Sequence, residues 1–164
     1  MPLAFTLETS ALADLATPLL AVALAPDESL PDALAPVDAR FGGALGRAIA
    51  RRDFRGARDE TLFVAGADTG VERVLLVGLG KGEDRRAALR RAGAVAARAA
   101  VKLGTGAITL YAGDLDADGV EQAALGLSFG AWKYDDLKAT PPENEQRAPL
   151  ARASVIARAD AQPG

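Results

Sequence analysis

A chain of 164 residues, 49% of them hydrophobic, is long enough to bury one core, and its formal net charge of -3 weighs against a protein built mainly to coat nucleic acid. It contains no cysteine and no histidine. That excludes disulfides, thiolate zinc sites, cysteine nucleophiles, Ser-His-Asp arrangements and imidazole metal ligands.

The start, "MPLAFTLETSALADL", has no basic segment leading into an apolar one, and no apolar run reaches membrane-spanning length, so a soluble cytoplasmic protein is expected. "LAFTLE" and "PLLAVALA" read as early strands, the second apolar throughout, as in a strand covered on both faces. "PDESLPDALAP" reads as a surface loop. From Val37, the positions Phe41, Leu45, Ala48 and Ile49 fall at helical spacing and predict one helix ahead of the exposed turn "RRDFRGARDE". "TLFVAG" and "RVLLVGLG", separated only by "ADTGVE", predict adjacent strands joined by a reversal.

The next helix is expected to open at Glu83 and Asp84 and to close at Lys102 and Gly104, with charges that suit the ends of its dipole. Leu89, Ala92, Ala96, Ala99, Ala100 and Leu103 fall on one side; Arg86, Arg90, Arg91, Arg98 and Lys102 fall on the other. The small apolar stripe would let this helix lie close to a sheet. "AITLYAG" reads as a strand and "GVEQAALGLSFGAWKYDDLKA" as a helix, in which Leu125, Phe129 and Trp132 share a face. "TPPENEQRAP" breaks the pattern before a last strand in "LARASVIA". Together these predict a three-layer α/β domain with a mixed, largely parallel sheet and about three flanking helices.

Two motifs invite a functional reading. After the strand, Gly78, Gly80 and Gly82 form G-x-G-x-G, where a dinucleotide fingerprint needs G-x-G-x-x-G; the third glycine's place is taken by Glu83. Glu83 and Asp84 would also repel a pyrophosphate at that helix start, and Lys81 is followed by glycine where a Walker loop needs Ser or Thr. A tight strand-to-helix turn is the better reading. In "DLDADG", Asp114, Asp116, Asp118 and Gly119 copy the opening of an EF-hand loop. The twelfth position, however, is Leu125 and the preceding element is a strand, so a solvated loop with Asp118 near the next helix start is favoured.

Weaker signals have plain alternatives. Arg47, Arg51, Arg52, Arg55 and Arg58, with the arginine face of the helix after Glu83, suit nucleic acid or an acidic partner, yet acids such as Asp53 and Asp59 interrupt them as on a solvated face. Phe129, Trp132 and Tyr134 suit stacking on a base; their spacing with Leu125 and Leu137 favours core packing or burial against a neighbouring domain. Asp135 and Asp136 are adjacent and so point apart on a helix, which makes solvated charge the better reading than an acid and base pair. No catalytic, cofactor-binding or metal-ligating residue is assigned in this chain.

The succession "TLFVAG", "RVLLVGLGKGED", "LRRAGAVAARAAVKLG", "AITLYAG" and "AALGLSFGAWKYDDLKA" resembles the N-terminal domain of the leucyl aminopeptidase (cytosol aminopeptidase) family. The likeness runs from about Phe41 onwards, and "LLVGLGKGE" and "GAWKYDDLK" are its most distinctive pieces. It implies a macro-domain-like module over residues 1–158, with 159–164 beginning a linker to an absent C-terminal catalytic domain. That catalytic domain would carry two divalent cations, manganese or zinc, and release N-terminal amino acids from peptides; its metal-ligand signature is nowhere in this chain. Lys81 lies in the glycine turn and is not equated with the family's metal-binding lysine.

What the resemblance implies is thus a noncatalytic accessory domain for assembly and active-site access. Its partners would be its own catalytic domain and further copies in a hexamer, with no membrane. A stand-alone macro-like module binding ADP-ribose or a nucleotide is the alternative. DNA binding through the arginine faces ranks last, because the overall charge is acidic.

Overall fold

The computed structural model describes residues 3–9, 11–66, 70–82, 84–132, 142–145 and 147–157. In chain order its principal elements are β1 (Ala4–Glu8), β2 (Leu20–Leu24), α1 (Ala35–Arg40), α2 (Ala44–Ala50), β3 (Thr61–Ala65), β4 (Arg73–Gly78), α3 (Arg85–Leu103), β5 (Ala107–Tyr111), α4 (Ala117–Ala131) and β6 (Arg152–Ile156). The strands form one sheet in the order β1-β6-β5-β2-β4-β3. Every neighbouring pair is parallel except β3 and β4, where the short reversal makes the pairing antiparallel and sets Phe63 opposite Leu75.

The apolar run "LAVAL" is β2, and all five of its residues are buried. Side chains alternate across a strand, so the run feeds two cores at once. Ala21 and Ala23 join Leu75, Val77, Ile108 and Leu110 beneath α3 and α4. Leu20, Val22 and Leu24 join Val74 and Leu76 on the opposite face, with Leu34, Val37, Leu45 and Phe54 above them. This is the three-layer, largely parallel arrangement that the alternation of elements predicts. Thr17 and Thr109, both buried, satisfy each other through a hydroxyl bond of 3.0 Å, and Thr17 donates to the carbonyl of Leu19.

Three boundaries differ from the sequence expectations. The single helix expected from Val37 is two short ones, and the first already begins at Ala35, inside what reads as surface loop; Leu34 before it is fully buried. The break falls at Gly42 and Gly43, both with positive φ. Gly43 has no side chain with which to cap α2, so Asp38 does it from α1: its Oδ1 accepts from the backbone N–H of Leu45 at 2.9 Å and of Gly46 at 3.4 Å. α4 also begins earlier than Gly119, because Asp116 is its N-cap and accepts from the Gly119 N–H at 2.8 Å.

α3 keeps its predicted ends. Asp84 accepts from the Ala87 N–H at 3.0 Å, and Gly104 closes the helix in the left-handed conformation. Glu83, the segment 133–141 and the expected linker 159–164 lie outside the described residues. Among the described residues no helix is long and apolar enough to cross a membrane.

Candidate functional site at the carboxyl edge of the sheet

In a parallel sheet the place to look is beyond the strand ends where the strand order reverses. The chain leaves β2 toward β4 and leaves β5 toward β6, so the reversal lies between the neighbours β2 and β5. The side chain there is Tyr111, the last residue of β5, which is buried. Burial pushes its phenol pKa above the usual 10.0, and the carboxylates of Asp114 and Glu28 push it further in the same direction.

The glycine turn after β4 is shaped by close packing. The Gly78 N–H donates to the Glu60 carbonyl at 2.7 Å, and a β-carbon on Gly78 would lie 1.8 Å from the Ala57 carbonyl oxygen. Gly80 has φ +75°, and a β-carbon there would come within 2.8 Å of the Arg58 side chain. The first two glycines are therefore required by the loop that precedes β3. Gly82 has no neighbour within 4 Å of a built β-carbon.

The arginines of α3 do not form a free basic face. Arg85 donates to the Ala112 carbonyl at 3.2 Å and Arg91 to the Leu79 carbonyl at 3.1 Å, tying the helix to the chain just past β5 and β4. Arg90 bonds Gln122 on α4, and Arg86 pairs with Asp118 at 3.1 Å. Arg47 donates to the Gly42 carbonyl beside its own helix. The structure does bring Arg52, Arg55 and Arg58 together, and it adds Lys81 from the glycine turn to the same cleft, a grouping that linear spacing does not reveal.

Asp114, Asp116 and Asp118 do not converge as ligands. Asp116 is committed to capping α4, and Asp118 to Arg86 and to the Gln122 amide. Among the described residues no group of three or more His, Cys, Asp or Glu side chains is placed to hold a metal ion. The described residues do not fit a pair of divalent cations, which the resemblance implies for the catalytic domain.

The aromatic stripe on α4 is a correction. Core packing is one expectation for it, yet Phe129 and Trp132 are each 71% exposed and Leu125 is 41% exposed. The sheet-facing side of α4 is instead formed by Val120, Ala123 and Leu127, which leaves the second apolar stripe pointing outward. Tyr134, Asp135, Asp136 and Leu137 fall outside the described residues.

The sheet, its flanking helices and the closely packed glycine turn define a three-layer α/β domain with a largely parallel sheet. Residues 21–141 match the model of the cytosol aminopeptidase family, N-terminal domain, and the chain belongs to that family. It is 37% identical over 133 residues to a probable cytosol aminopeptidase of Caulobacter vibrioides, covering 79% of this chain and 26% of that protein. It is 33% identical over 117 residues to a probable cytosol aminopeptidase of Alkalilimnicola ehrlichii, covering 66% of this chain and 24% of that protein. The chain thus spans about a quarter of the length of these relatives.

Among solved structures, a mutant tomato leucine aminopeptidase superposes with a TM-score of 0.79 at 18% identity, over 99% of this chain and 34% of that one. The bottromycin maturation enzyme BotP, in complex with Mn, superposes with a TM-score of 0.57 at 22% identity, over 85% of this chain and 26% of that one. At these identities the likeness establishes the fold.

Proposed function

We propose that this domain is a noncatalytic N-terminal accessory part of a cytoplasmic di-metal aminopeptidase that releases N-terminal amino acids from peptides. The observation that carries the reading is the family match over residues 21–141, in a chain that spans only a quarter of its relatives. Hydrolysis, with its manganese or zinc, is assigned in this reading to the catalytic part.

Assembly and control of access to the active site are the work left for such a domain. Leu125, Phe129 and Trp132 support this part of the reading, since an outward apolar stripe of this kind commonly marks a protein–protein contact. The contact is assigned to the catalytic part of the same subunit or of a neighbour in a hexamer. The test is peptidase activity of the purified chain on a leucine anilide with added manganese or zinc. No turnover is expected; turnover that follows the chain through successive purification steps overturns the reading.

A further inference from the structure

Loops from three parts of the chain meet beside the carboxyl ends of β2 and β4 and line an open cleft of about 290 Å³. Its lining includes Arg52, Arg55, Arg58 and Lys81 against one carboxylate, Asp27. Arg52 lies 4.0 Å from Asp27 and Arg58 lies 3.9 Å from Asp59, both at exposed positions where such pairing is weak. Arg55 and Lys81 have no ion-pair partner among the described residues. The four cations outnumber the carboxylates beside them, Asp27 in the lining and Asp59 next to Arg58, so the cleft keeps a net positive charge that favours an anion.

The loops that carry these cations are held in place. The Glu60 carboxylate accepts from the N–H groups of Arg55 and Ala57, each at 3.0 Å, and the Gly80 N–H donates to the Gly56 carbonyl at 3.0 Å. A β-carbon on Gly56 would lie 2.7 Å from the Ala25 carbonyl, so this loop also rests directly on the chain leaving β2. The three non-glycine residues with left-handed backbone among those described are Asp27, Arg52 and Asp59. Two of them line the cleft and the third adjoins Arg58. Arg52 stands just beyond the end of α2, where glycine is the usual residue. Aspartate enters this region readily, whereas Arg52 does so at a cost, and backbone strain of that kind gathers at functional sites.

We infer that this cleft binds a compact phosphorylated anion, with the guanidinium forks of Arg55 and Arg58 and the Lys81 ammonium as its principal donors. A second cavity of about 300 Å³ shares Asp27, Arg52 and Arg55 with the cleft and is lined further by Glu28, Ile49 and Phe54, so it suits an uncharged substituent carried by the phosphate, not a second anionic group. This inference is independent of the aminopeptidase reading.

The test is calorimetric titration of the chain at low ionic strength with sodium pyrophosphate and, separately, with adenosine diphosphate. Saturable binding of pyrophosphate is expected. Equal affinity for the two probes assigns the site to bare phosphate; tighter binding of the diphosphate nucleotide assigns the neighbouring cavity to its substituent. Arg55→Ala and Lys81→Ala should each weaken pyrophosphate about tenfold, while Arg98→Ala on the exposed face of α3 should leave it unchanged. Arg52→Gly relieves the backbone and should keep a Tm no lower than that of the parent chain while also weakening pyrophosphate. The inference is overturned by the absence of saturable heat at millimolar pyrophosphate, by equal losses in Arg98→Ala, or by binding confined to long DNA.

Discussion

A β-carbon on Gly126 would lie 2.1 Å from the carbonyl oxygen of Arg90, so α3 and α4 meet backbone to backbone. The same closeness recurs at Gly130 against the Ala94 carbonyl, at 2.3 Å, and at Gly93 against the Ala123 carbonyl, at 2.7 Å. Alanine would improve helix propensity by about 1 kcal/mol at such a position. The added methyl meets backbone that cannot swing aside, and overpacking of this kind costs about 1–3 kcal/mol. Gly126→Ala is therefore expected to lower stability in urea denaturation, whereas Gly82→Ala, where nothing lies within 4 Å, should not. A rise in stability for Gly126→Ala would show that the two helices separate at no cost.

The two residues that flank Ser128 give opposite expectations. Leu127 is fully buried among the side chains beneath α3 and α4, and Leu127→Ala should cost about 2–5 kcal/mol. Phe129 is larger but 71% exposed, and Phe129→Ser should change the stability of the chain by no more than about 0.5 kcal/mol. Thermal melts of the two variants decide the matter; a large loss for Phe129→Ser would place that ring in the core.

Tyr111 makes stability depend on pH at the alkaline end. Its folded pKa is raised above 10.0, by burial first and then by Asp114 and Glu28, so the unfolded chain loses the phenol proton before the folded one does. The resulting stabilisation is fully present below pH 10.0 and is lost as pH rises through the folded pKa. In a Tyr134→Phe background, tyrosinate absorbance should rise later for the folded chain than for the chain in urea. Tyr111→Phe should flatten the fall in stability over that window; an unchanged slope would rule the phenol out as its source.

The elements that sequence reasoning finds are those whose own pattern is sufficient. A uniformly apolar "LAVAL" has to be covered on both faces, and β2 is central in the sheet. Asp84 and Gly104 suit a helix start and stop by local chemistry alone, and both occupy those places. The misses come from properties that belong to pairs of distant segments. Helical spacing ran unbroken through Phe41, but two glycines and a side chain borrowed from Asp38 divide that helix. Periodicity groups Leu125, Phe129 and Trp132 on one face of α4 without saying that glycines on the other side let that side approach α3 more closely. The basic cleft was equally hidden, because Lys81 reaches Arg52, Arg55 and Arg58 only after β4 has been laid beside β2.

The strand order also dictates when the domain can be finished. Among the described strands β1 has a single neighbour, β6, which comes latest of them in the chain, so the first ladder position to be synthesised waits for the rest of this domain before it finds a partner. A nascent chain can close β2, β4 and β5 around α3 early, yet it holds β1 unpaired until β6 has cleared the ribosome. Any cut placed before Arg152 would strip β1 of its ladder and turn β5 into an open border.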